Sequence, residues 1–250
     1  MAMSPFMTFA NREVAELTFC DFASGSPVLY IDWANVTSTS LTGETVYARG
    51  GMGAPKRVGF GGNREGTLSI ETQMNCAKLY AIVTGGELST TAEFLKRTVV
   101  KAAAGALTLP EQNGTIVSSG LMVYAIEDDC GTPVEEVSLS EGQVIASSLV
   151  DGAEYVVYFM VKHDGDVQKL HIPGRVRLNA YKIYGRTLVK DEGDKDHDAR
   201  MIVYKATPQP QVDFSFSNSG DPGTMTLTFD LAADKDDNVL DMVFMDESED

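Results

Sequence analysis

The chain has 250 residues, 43% of them hydrophobic, and a formal net charge of -16. Its size and apolar content suffice for one large core or two small ones, and exclude a disordered or fibrous chain. The acidic excess argues against a protein that grips phosphates, because that binding is driven by lysine and arginine releasing counterions.

Turn residues punctuate the sequence at short intervals between runs of Val, Thr, Tyr, Phe and Ile, which predicts a mostly β protein. The first strands fall at Leu17 to Cys20, Val28 to Asp32 and Thr45 to Ala48. Residues 43–66 read as a long loop, with glycines at 43, 50, 51, 53, 59, 61, 62 and 66 and proline at 55. Loops of that length in a compact domain are usually functional. A strand at Thr67 to Gln73 leads into a short helix, Asn75 to Thr84, with Asn75 as its cap, Leu79, Ile82 and Val83 on one side, and Gly85-Gly86 as its stop. Thr91 to Ala104 is ambiguous. Thr90 and Glu93 suit a capping box, whereas Thr98-Val99-Val100 prefers strand, and the second half is read as strand.

Further strands are predicted at Leu121 to Glu127, Val134 to Leu139, Glu154 to Val161, Val167 to Ile172, Val176 to Tyr184 and Arg200 to Lys205. Leu121 to Ile126 and Tyr155 to Val161 are apolar without alternation, which predicts cover on both faces, some of it from a partner. The clearest pattern comes last. Val212, Phe214 and Phe216, then Met225, Leu227, Phe229 and Leu231, alternate with Asp213, Ser215, Ser217, Thr224, Thr226, Thr228 and Asp230 around the turn Asn218 to Gly223. Successive side chains of a strand point to opposite faces, so this is a ribbon with one dry face and one face of hydroxyls and carboxylates. No linker divides the chain, and a single β domain over residues 1–250 is expected.

Cys20, Cys76 and Cys130 are odd in number and lack zinc spacing, so they are expected to be buried thiols in a reducing cytoplasm. No secretory leader is apparent in Met1 to Glu16, and the longest apolar run, Tyr155 to Val161, is too short to cross a membrane as a helix. Charge is unevenly distributed. Lys169, Arg175, Arg177, Lys182, Arg186 and Lys190 fall in a stretch without acid, and Asp191, Glu192, Asp194, Asp196 and Asp198 follow. Complementary patches of this kind set the register of a head-to-tail contact between copies, making Arg175, Arg177, Lys182, Arg186, Asp191, Glu192 and Asp194 interface candidates. The alternative is a set of individually solvated charges.

Catalytic motifs are missing. Lys56 is followed by Arg57 rather than Ser or Thr, so the glycine-rich stretch is no P-loop. Asp194, Asp196 and Asp198 have calcium-loop spacing, but Ala199 and Lys205 stand where glycine and glutamate are needed; Asp234, Asp236 and Asn238 fail likewise at Val239 and Met245. Both read as acidic hairpin turns. His163, His171 and His197 form no metal motif; His171 is placed in a strand and the other two beside turns. Trp33 is the single tryptophan, a poor endowment for a sugar cleft. No convergent set of acid, base and nucleophile emerges.

Three segments resemble the major tail tube proteins of long-tailed bacteriophages, the contractile type being favoured. They are GGMGAPKRVGFGGNREGTLSIETQMNCAKLYAIVTGG from Gly50, then VYAIEDDCGTPVEEVSL with DGAEYVVYFMV, and the closing half from His171 to Leu231. The resemblance implies a mainly β fold, a sandwich or partial barrel with one short flanking helix. It implies copies pooling strands into hexameric rings, stacked around a channel for double-stranded DNA that passes without specific binding. A tape-measure protein and, in contractile tails, a sheath are the implied partners. No catalytic residue, metal or cofactor comes with the family, and the implied location is the virion, assembled in the host cytoplasm. An acidic, hydroxyl-rich wall repels phosphate while staying wet. Asp213, Ser215, Ser217, Thr224, Thr226, Thr228 and Asp230 are therefore the expected channel-facing residues, with Thr67, Ser69 and Glu71 as second choice. The same alternation suits a face turned to outside solvent. Another virion β-protein, at the head or tail tip, and a binding β-sandwich are the competing readings.

Overall fold

Alternating apolar runs separated by turns build fifteen strands and one α-helix in the computed structural model, which describes residues 8–211 and 223–245. The strands are β1 (Phe9–Asn11), β2 (Glu16–Asp21), β3 (Pro27–Ile31), β4 (Val36–Arg49) and β5 (Lys56–Thr72), followed by helix α1 (Ala77–Thr84). Next come β6 (Glu87–Lys101), β7 (Ala106–Thr108), β8 (Thr115–Ala125), β9 (Ser138–Ser140), β10 (Gln143–Ile145) and β11 (Glu154–His171). The series closes with β12 (Tyr181–Asp191), β13 (Asp196–Pro208), β14 (Met225–Leu231) and β15 (Leu240–Phe244). The chain forms two compact units, one built from the segments on either side of the second, Leu88–His171.

In the first unit a sheet runs β3-β2-β12-β13-β14-β5-β4, with β1 added on β12 and β15 on β13. The strand β13 serves two neighbours: Ala199 to Val203 pair with β15, and Ala206 to Pro208 with β14. Thr39 Oγ1 donates to Met201 Sδ at 3.4 Å, although β14 and β5 lie between β4 and β13 in the sheet. The sheet is thus curled into a partial barrel, and it does not close within the chain. Its inner face buries Leu17, Phe19, Ile183, Val203, Leu68 and Phe229, with α1 adding Leu79, Ile82 and Val83. The helix is capped by Cys76 rather than Asn75, the Sγ accepting from Leu79 N at 3.4 Å, and it stops at Gly85 with φ 65°.

Residues 43–66 are not a loop. β4 and β5 pair from Val36 to Arg49, leaving only residues 50–55 as the connection. Glycines at 59, 61, 62 and 66 hid the outer part of β5 despite its β-formers Val58 and Phe60, yet cross-strand side chains fill their place: a Cβ on Gly59 would come within 3.1 Å of the Tyr47 ring.

The second unit is a small sandwich of two three-stranded sheets, β6-β11-β8 and β7-β10-β9. Leu107, Val123, Val144, Val157, Phe159 and Val161 form its core. The sequence Thr91 to Lys101 is strand throughout, and β11 runs unbroken where two strands were predicted. Its outer side is less covered than expected, with Tyr158 and Met160 half-buried and Met122 exposed. Elsewhere the segment before Tyr181 is irregular, and the strand expected at Val134 to Leu139 is reduced to Ser138–Ser140. Of the cysteines only Cys20 is buried; Cys76 is half-buried and Cys130 exposed. His171 ends β11 as expected and His197 follows the β12–β13 turn, but both His163 and His197 are buried strand residues, and no turn lies beside His163.

Candidate functional site

The antiparallel ladders of β14, β5 and β4 fix which side chains share a face, because directly opposed residues project to the same side. Thr226 stands opposite Glu71, Thr228 opposite Ser69 and Asp230 opposite Thr67. Beyond β5, Glu71, Ser69, Thr67 and Glu65 face Val36, Ser38, Ser40 and Thr42. On the other flank Asp230 opposes Thr207 of β13 and accepts a hydrogen bond from Gln209 Nε2 at 2.7 Å. The partner residues Met225, Leu227, Phe229, Leu231, Leu68 and Ile70 are buried on the opposite face. The Phe229 ring packs at a tilt against Phe19, with ring centroids 5.5 Å apart, and anchors β14 to the core.

The result is a half-exposed to exposed surface of hydroxyls and carboxylates, interrupted by Val36 and carrying no lysine or arginine at these positions. The structure brings Thr226, Thr228 and Asp230 together with Thr67, Ser69 and Glu71 on one face. Thr224 is exposed just before β14, and Asp213, Ser215 and Ser217 lie outside the described residues. Ser38, Ser40, Thr42, Thr207 and Gln209 were missed. In β4 hydroxyls occupy both parities, Thr37 to Ser40, so no apolar period marks its face.

The charge runs around β12 and β13 meet one another first. Asp198 is fully buried, with guanidinium nitrogens of Arg186 and Arg200 at 3.3 and 3.5 Å. Lys190 reaches Asp194 at 3.1 Å and Asp196 at 3.6 Å. The backbone amide of Lys195, then the His197 ring, hold the Asp191 carboxyl below the usual carboxylate range. Glu192 accepts from Thr8 Oγ1 at 2.7 Å, and the Lys182 ammonium lies over the rings of Tyr204 and Tyr184. Arg175 and Arg177 are exposed, and neither forms an ion pair among the described residues.

The aspartate triplets are turn chemistry. Asp234 Oδ1 accepts the amides of Asp236 and Asn238, both at 2.9 Å, closing the turn between β14 and β15. No group of His, Cys, Asp and Glu side chains among the described residues is placed to hold a metal ion. In the second unit Asp129 accepts from Arg97 at 2.8 Å and from Tyr158 at 2.9 Å. The Cys130 contact, then burial and Asp129, push the Tyr158 hydroxyl up to about 12. No helix among the described residues is long and apolar enough to cross a membrane.

The model of the YomU/Tube protein family matches residues 11–245. The chain belongs to the YomU/Tube protein family. It is a structural protein of phage tail tubes, hence a virion component. The match to the tube family spans both compact units and the whole polar face, and it extends to the family rather than to the contractile type. No curated protein matches this tube-family chain.

Proposed function

We propose that copies of this chain join into rings, six to a ring, that stack into the tail tube, with no enzymatic activity of their own. The face of Thr226, Thr228 and Asp230 with Thr67, Ser69, Glu71, Ser38 and Ser40 lines the channel through which double-stranded DNA leaves. What carries the reading is the register of β14, β5 and β4, which gathers hydroxyls and carboxylates into one continuous surface free of cations. Such a wall keeps water and repels phosphate, so a long polyanion slides without being held. The partial barrel of one chain is filled by its own core, and a bore wide enough for a duplex needs strands from several copies. Pooling also covers the long free edge of β4. A tape-measure protein inside the tube and a sheath around it are the partners this role calls for, assembly taking place in the host cytoplasm. Arg175, Arg177 and the outer charges of β12 and β13 would then guide contacts between copies.

The test is negative-stain electron microscopy of concentrated protein. Rings or hollow tubes are expected; a species that stays monomeric at every concentration would overturn the reading.

A further inference from the structure

Followed around the curl from β5 and β14, the surface of the sheet that faces away from the core arrives on β13, β12, β2 and β3. A groove of about 550 Å³ crosses the strands there. The ladders build its two walls, because directly opposed residues project to one side. On one rung Tyr30, Thr18, Tyr184 and Ile202 stand side by side across β3, β2, β12 and β13. Two residues along, Glu16, Arg186, Arg200 and Val243 do the same across β2, β12, β13 and β15. One wall is thus aromatic and aliphatic with a hydroxyl in it, and the other is mainly charged. Tyr30 and Tyr184 are 49% and 41% exposed. Lys182 Nζ lies 5.2 Å from the centroid of the Tyr184 ring, a contact that steadies it.

The charged wall is held in place from beneath. Arg186 and Arg200 are directly opposed, an arrangement that repels, and the fully buried Asp198 carboxylate holds both, at 3.3 and 3.5 Å. Each arginine side chain is still 43% exposed, so anchored guanidiniums face the groove. Glu16 stands opposite Arg186, and its hydrogen bond with the Tyr30 hydroxyl pushes that hydroxyl above its ordinary value. Acceptor and donor groups are therefore neighbours along the wall, one strand spacing of about 4.8 Å apart.

The occupant that satisfies both walls has apolar ring faces and many hydroxyls. An apolar chain would cover Glu16 and two arginines without pairing them. A polyanion would have to approach Glu16 on a protein of net charge -16. A sugar ring offers C–H faces to tyrosine, and its paired hydroxyls donate to a carboxylate and accept from a guanidinium. Tyrosines here supply the platforms that a single tryptophan does not. We propose that this groove binds a short oligosaccharide, its ring faces on Tyr30 and Tyr184 and its hydroxyls shared by Glu16, Arg186 and Arg200. It binds without cleaving, since Glu16 is the one carboxylate among the described residues that line it, and glycoside hydrolysis uses a pair. With the β14–β5–β4 face inside a tube, the groove opens on the outside, where a tail meets host polysaccharides; that placement rests on the tube reading, whereas the binding does not. Arg186 then serves the groove and leaves contacts between copies to the remaining charges.

The experiment applies full-length protein to an array of bacterial cell-wall and capsular oligosaccharides and titrates the strongest ligand by calorimetry. A millimolar or tighter dissociation constant is expected. Tyr30→Ala with Tyr184→Ala should weaken binding about tenfold or more, and Glu16→Gln about threefold or more. Tyr30→Phe with Tyr184→Phe keeps both rings and should retain most of the affinity. Circular dichroism and the melting temperature report whether each variant is folded. The proposal is overturned if no oligosaccharide binds or if the alanine pair binds like the parent. It is also overturned if the folded alanine pair loses ring formation, which would make the groove the seat of a second copy. Electron microscopy of the same preparations separates the two readings: binding without rings keeps the groove and removes the tube, and rings without binding do the opposite.

Discussion

Asp230 stands directly opposite Thr67 across the β14–β5 ladder, and Thr207 flanks it from β13. A carboxylate set among hydroxyls on an open sheet face is a site where sign matters and shape does not. Replacing Asp230 and Thr228 by lysine should leave rings and tubes intact, because both side chains point away from the core. DNA ejection from tails built with that variant should slow several-fold at low salt and recover as salt screens the attraction. An unchanged ejection rate in well-formed tails would remove this face from the channel wall.

Arg175 and Arg177 make the complementary prediction. Both are exposed before β12, and reversing them to glutamate should leave the melting temperature within a degree or two, as surface changes usually do. Ring formation at a fixed concentration should fall. Rings forming at the parental concentration would exclude these arginines from the contact between copies.

Gly85 ends α1 at φ 65°, and a Cβ placed there would come within 2.6 Å of Val176 Cγ2. Gly85→Ala therefore combines a left-handed backbone with a collision, and it should cost about 1–3 kcal/mol. Urea unfolding of the full chain checks this, and a midpoint equal to the parent's would contradict the geometry.

The two separate cores predict separable damage. Phe159 is fully buried in the second unit and Phe229 in the first. Truncating either to alanine should cost about 3–5 kcal/mol. In hydrogen exchange, Phe159→Ala should expose amides of Leu88–His171 before those of β2, β12 and β14, and Phe229→Ala the reverse. Equal loss of protection across both units would mean that they unfold as one.

Acid should loosen the turns first. The Asp191 carboxyl is held below its ordinary value of 3.8 by the Lys195 amide and His197, and that of Asp234 by the Asn238 amide and side chain. A carboxyl with a depressed folded value stabilises the fold above its unfolded value, and the contribution disappears as pH falls through the folded one. Thermal stability should thus decline as the pH is taken down past the ordinary carboxylate value of 3.8, and less steeply in Asp191→Asn, whose starting stability is lower. A parallel decline in parent and variant would detach Asp191 from the effect.

What could be read beforehand depended on how clearly one face differed from the other. β14 was legible because Met225 to Leu231 alternate without exception, and α1 because Leu79, Ile82 and Val83 recur at helical spacing before Gly85. β4 was legible only at Thr45 to Ala48, since hydroxyls occupy both faces of Thr37 to Ser40, and the outer part of β5 was masked by its glycines. The break expected between Val161 and Val167 is missing: Gly165 takes φ 91° within a continuing strand, and Asp166 holds the buried His163 at 2.8 Å. The polar face itself was half visible. Its members in β14 and β5 stood out by alternation, whereas the joining of those strands to β4 and to Thr207 depends on sheet order, which no local pattern encodes.

The interruption of the first unit by Leu88–His171 bears on the order in which the protein takes shape during synthesis. Strand β2 must wait for β12, and β5 for β14, while every strand of the inserted sandwich finds its neighbours inside one contiguous stretch. The ribosome therefore delivers a finished sandwich before the main sheet can close, and β14, one strand of the inferred conduit wall, follows it. A nascent chain is thereby kept from offering that wall to its neighbours until the inserted sandwich has been made.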